Sequence, residues 1–168
     1  MEKTFSASCN CTLSAIQVLM RIEQLEGSAV GLETSLEVME DAEVRCLAVL
    51  NCTACRQRRF SLASVTVVSA TVIEWVQGAW LRGDINNGVS LGSFALDRAD
   101  ADMLSRELMS LQLSHFVKVM AQLDSALSTA RSVQVAEYLD IVRAKTHELQ
   151  SCKQQIVGLS DHVTARPR

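Results

Sequence analysis

The side chains with the widest chemical reach in this sequence are one histidine, one carboxylate, a few aromatics and six cysteines. His115 falls in the run Leu104, Leu108, Leu111, His115, Val119 and Leu123, which helical spacing gathers on one apolar stripe. A histidine there is most simply a core residue with satisfied hydrogen bonds. Lining a cavity, it would need only a small pKa shift to act as an acid or base. Glu74 stands in an otherwise apolar segment, where burial would desolvate the carboxylate and raise its pKa. The commoner fate of such a group is a place at the rim, or a pairing with an arginine. Trp75 and Trp80 point to different sides of a helix, so at least one is expected in the core while the other edges a pocket. Tyr138 divides in the same way. The candidate catalytic residues are thus His115 and Glu74. The candidate ligand-binding residues are Trp75, Trp80, Tyr138 and His115, at a pocket expected between the central and fourth helices.

Cys9, Cys11, Cys52 and Cys55 would offer four thiolates to a zinc ion if their two segments met. The C-x-C spacing is awkward for structural zinc, and Cys52-x-x-Cys55 lacks a second matching pair. The simpler expectation is ordinary core or helix-end thiols, ahead of zinc and of a redox pair, with no metal and no cofactor. The chain has no nucleophile elbow, no phosphate-cradling glycine loop and no H-E-x-x-H. His147 and His162 carry no signal.

These residues need elements to hold them, and the organising one is Phe60–Leu81. It has a single charge, Glu74, one interior glycine and no proline. Apolar residues recur at helical spacing as Leu62, Val65, Val68, Val72, Val76 and Trp80, with a second face at Ala63, Val67, Ala70 and Ile73. A helix apolar almost all round belongs in a core or a membrane. Ser61, Ser64, Ser69, Thr71 and Glu74 interrupt the run, so a membrane span, which needs ~20 mostly apolar residues, is not expected. Ser64, Thr71 and Gly78 form a small-residue stripe where another helix could approach. Around this helix the pattern predicts one from Cys11 or Thr12 to Glu26, one from Glu33 to Leu50 with acidic early turns, and one capped by Asp97 and running to Leu127. A fifth is capped by Ser132 and runs to Val157 with inner face Val135, Tyr138, Leu139, Val142, Leu149 and Ile156. Gly83–Leu96 is the long connection, with an extended stretch in VSLGSFAL. The fold class is all-α: a single domain of about five main helices, with 8–159 as core and 160–168 as tail.

A chain of 168 residues, 48% hydrophobic and with one proline, has material for a real core. Its net charge of −3 supplies no global field for nucleic acid, and Arg56, Arg58 and Arg59 form the one basic cluster. The N-terminus shows no secretory pattern, which leads to the expectation of a soluble intracellular protein with reduced cysteines.

Four segments in order, CNCTLSAIQVLMRIEQL, VRCLAVLNCTAC, SLASVTVVSATVIEWVQ and VSLGSFALDRADADMLSRELMSLQLSHFVKVMAQL, resemble the C-terminal regulatory domain of the aflatoxin regulatory protein family, fungal zinc-cluster transcription factors that control secondary metabolism. The likeness spans most of positions 9 to 125. Its most specific part is the turn Gly92-Ser93-Phe94-Ala95-Leu96-Asp97 leading into a Leu-rich helix. The DNA-binding zinc cluster of those factors is not in this sequence, and Val76 stands where an aromatic usually follows the tryptophan. The resemblance therefore implies the regulatory half alone: a regulatory or interaction domain whose partners are a small apolar pathway metabolite, a protein coactivator or a second copy in a homodimer. Direct binding to DNA or to a membrane is not implied. Such a domain would be nuclear within a transcription factor. The rival function is a stand-alone cytoplasmic enzyme of biosynthesis, a cyclase, pericyclase or isomerase, reusing the same apolar pocket to fold a reactive intermediate.

Overall fold

The computed structural model describes residues 9–82, 85–86, 90–91, 93–130 and 135–158. The expected Ser132 cap and the tail after 159 lie outside these residues. Among the described residues the chain is an all-α bundle of five helices: α1 (Cys11–Leu25), α2 (Leu32–Asn51), α3 (Arg59–Leu81), α4 (Arg98–Thr129) and α5 (Ala136–Gly158). Four two-residue strands sit in the connections: β1 (Val30–Gly31), β2 (Ile85–Asn86), β3 (Ser90–Leu91) and β4 (Phe94–Ala95).

α3 packs against each of the other four helices, as its nearly continuous apolar surface requires. Val65, Val68, Val72, Ile73 and Val76 are buried along it, and two of its hydroxyls turn back on the helix itself. Ser64 Oγ donates to the Phe60 carbonyl at 2.8 Å and Thr66 Oγ1 to that of Leu62 at 2.9 Å. Because those hydroxyls cost so little hydropathy, Arg59–Trp80 is long and apolar enough by composition to cross a membrane, contrary to the sequence reading, with a mean hydropathy of 1.3. In this bundle 56% of it is covered by protein, which makes it the core helix. The expected small-residue stripe does not hold together as a helix contact. The atoms nearest to a side chain placed at Gly78 belong to the Arg82 guanidinium, and Thr71 lines a cleft.

α1 and α2 pack together on one side of α3. Arg45 on α2 ties them: its guanidinium donates to Asp41 Oδ1 at 2.6 Å, and to the Ser14 carbonyl, Ser14 Oγ and Gln17 Oε1 of α1. Between the two helices Gly27 takes a φ of +78°, a left-handed value that disfavours any residue with a Cβ. β1, just after that turn, pairs in parallel with β2 beyond α3, Val30 opposite Ile85 and Gly31 opposite Asn86. β3 and β4 form an antiparallel pair within the stretch the sequence marks as extended. Asp97 caps α4 as expected, accepting the Asp100 backbone N–H at 2.9 Å.

α4 corrects one expectation. Its buried face is Ala101, Ser105, Met109, Leu113, Phe116, Val119, Met120, Leu123 and Leu127. That face is rotated roughly a quarter turn from the stripe through His115, at 3.6 residues per turn. Only Val119 and Leu123 are common to both, and Leu111 is exposed. The helix carries two apolar faces, and the one that includes Phe116 and two methionines is the one that goes inside.

Candidate functional site

Among the described residues, two places bring together groups singled out from the sequence. The first lies where α1 begins, α2 ends and α3 begins. Cys9 precedes α1 and Cys11 is its first residue, while Cys52 closes α2 and Cys55 lies in the turn before α3. Their four sulfurs all lie within 4.8 Å of one another. The Cys9 and Cys55 sulfurs are 3.0 Å apart, and that of Cys52 stands 3.7 Å from Cys9. The doubt that the two segments meet is therefore removed: packing α1 against α2 brings the start of one beside the end of the other, and the C-x-C and C-x-x-C pairs face each other.

The thiols are not equivalent. The backbone N–H groups of Cys55 and Ala54 point at the Cys52 sulfur and favour its thiolate, lowering its pKa to about 7. Cys9 is pushed up to about 12, because its sulfur contacts those of Cys55 and Cys52. Burial raises Cys11, and the Cys52 sulfur beside it adds to the shift. The Thr12 hydroxyl lies 3.7 Å from Cys55 Sγ and donates to Ser61 Oγ at 2.9 Å, which ties the start of α1 to the start of α3 beside the cluster. The remaining cysteines stand apart from this group: Cys46 and Cys152 are buried in the core, and burial raises both thiols, Cys46 to about 12.

The second place is a cleft of about 570 Å³ between the end of α1, the Gly27 turn and α3. Ile22, Leu25, Val30, Trp75 and Ala79 supply its apolar walls, and Glu26, Glu74 and Arg82 its charges. It contains two of the residues singled out from sequence, Glu74 and Trp75. Glu74 is 62% exposed at the side chain and binds Lys145 Nζ of α5 at 2.7 Å, so the carboxylate sits at the rim and not in the core. The cleft is not between α3 and α4, because α4 turns a different face inward.

His115, Trp80 and Tyr138 do not line this cleft. Trp80 and Tyr138 are half-buried against the core. His115 is 40% exposed, with Nδ1 3.6 Å from Glu43 Oε2 on α2, beyond ordinary hydrogen-bond length. Gln112 donates to that same oxygen at 3.0 Å and claims the carboxylate first. His115 and Glu74 thus attach to different helices and form no acid–base pair. Among the residues that sequence reasoning missed at the cleft, Glu26, Gly27, Ser28 and Arg82 lie in turns. Only the glycine carried a readable signal.

Comparison of the chain with protein families, with curated proteins and with solved structures finds no match.

Proposed function

We propose that this chain is a regulatory, protein-interaction domain of the kind found in the C-terminal half of the aflatoxin regulatory proteins, and that it responds to a small, mainly apolar molecule in the Trp75 cleft. The supporting observation is the position of that cleft. Val30 lines it and also pairs with Ile85, so a molecule lodged there meets the α1–α2 turn and, through one backbone ladder, the connection that follows α3. A ligand that favours one arrangement of two connections over another shifts the surface offered to a coactivator. Its apolar body would lie against Ile22, Leu25 and Trp75, with Arg82 or the two carboxylates meeting any polar group. Within a transcription factor such a domain acts in the nucleus, without touching DNA itself.

The alternative of a cyclase, pericyclase or isomerase gains nothing from the geometry, since His115, its best acid–base group, lies on the α2–α4 surface. The regulatory reading is tested by fusing the chain to an unrelated DNA-binding domain and measuring reporter transcription. Output should differ from that of the DNA-binding domain alone and move back toward it when Trp75→Ala empties the cleft wall. A fusion that behaves as the DNA-binding domain alone overturns the proposal.

A further inference from the structure

We propose that Cys9, Cys11, Cys52 and Cys55 bind one zinc ion as a structural four-thiolate centre, a role separate from the regulatory reading and independent of it. The ligand set is complete: four sulfurs from two chain segments, all within 4.8 Å of one another. With Zn–S bonds of about 2.3 Å, the edges of a sulfur tetrahedron are ~3.8 Å. The Cys52–Cys9 edge already has 3.7 Å, and the Cys9–Cys55 edge at 3.0 Å opens by less than an ångström. Side-chain rotation alone covers that distance.

The surroundings suit a thiolate-bound cation. Two backbone N–H groups already aim at the Cys52 sulfur, and the Thr12 hydroxyl stands beside Cys55. Such outer contacts orient ligands and spread their charge. Four thiolates around a divalent ion carry a net charge of about −2, and Arg56, Arg58 and Arg59 follow Cys55 directly in the chain. Sulfur ligands select zinc over magnesium or calcium. Four protein ligands leave no position for water or substrate, so the centre is structural and not catalytic. Binding replaces thiol protons with the ion and releases them to solvent, with no change of oxidation state.

The test uses the full chain, purified under reducing conditions without chelator, with zinc counted per protein by elemental analysis. About one zinc per chain is expected. Replacement by cobalt should give the visible absorption of a tetrahedral thiolate site. Cys52→Ser and Cys11→Ser should lose the metal, whereas Cys152→Ala, a buried cysteine elsewhere, should keep it. Should a serine variant fail to fold, the wild-type chain decides alone, through its zinc content and cobalt spectrum. A wild-type chain that is zinc-free and takes up no cobalt in tetrahedral form overturns the proposal. So does full zinc retention in Cys52→Ser, or a Cys9–Cys55 disulfide found by mass spectrometry in place of metal.

Discussion

At the scale of single residues, His115 shows how much a side chain's meaning depends on a quarter turn of helix. On the core stripe it would be a buried base. On the flank of α4 it is a half-exposed imidazole near a carboxylate that Gln112 already satisfies. His115→Phe should therefore fold normally and change stability by less than ~1 kcal/mol, the range of exposed ion pairs. Urea denaturation measures this, and a loss of several kcal/mol would place the imidazole in the core after all. The cysteines reverse the lesson. Their types were plain in the sequence, but their meeting was not, because sulfurs 43 and 46 positions apart along the chain come together only through tertiary packing.

At the scale of elements, α3 was legible because its apolar residues recur at helical spacing over more than five turns with a single charge among them. Val72 is wholly buried at its middle. Val72→Asp would bury an unpaired charge, at a cost of several kcal/mol against a total stability of ~5–15. The variant should be insoluble or unfolded, and a soluble one with an unchanged melting temperature would show Val72 facing water. α4 was harder to read: both its faces are apolar, and periodicity cannot choose between two candidates of similar weight. The β1–β2 pair was invisible for a different reason, whereas β3 and β4 fall in the stretch read as extended. Two-residue ladders are created by the loops they join and leave no alternation to detect.

Lys145 supplies the tie between α5 and α3 that can be probed by pH. Its partial burial pulls its pKa down, but contacts with Glu148 and Glu74, each at 2.7 Å, outweigh that and raise it above 10.5. A raised basic pKa means stabilisation complete below 10.5 and lost as pH climbs through the folded-state value. Wild type should therefore lose more stability than Lys145→Met as pH rises from neutral past 10.5, a difference read by denaturant melts at each pH. Equal pH slopes in the two proteins would show that the bridge does not form in solution.

At the scale of the molecule, the class of fold followed from composition and helical spacing, while the cleft did not. Its walls come from the end of one helix, a turn and the middle of another, and turns carry little periodic information. About two thirds of the chain lies in the five helices, so far-UV circular dichroism should report helix well above the ~30–35% of average globular proteins. A sheet-dominated spectrum would mean that the β-branched run in α3 had taken its other option.

The sulfur cluster has a topological consequence. It stands at the open end of the α1–α2 hairpin, opposite the Gly27 turn, with Cys9 and Cys52 separated by 43 positions. A bond network there converts the hairpin into a closed ring. Closing a ring of that size removes roughly 4 kcal/mol of chain entropy from the unfolded ensemble. The helix that gains most is α1, whose main neighbours are only α2 and α3. With the ring open, α1 is held by its packing on α2 and α3 alone and can peel away without them. With it closed, α1 separates only when its neighbours do, and the N-terminal helix joins the cooperative unit of the core.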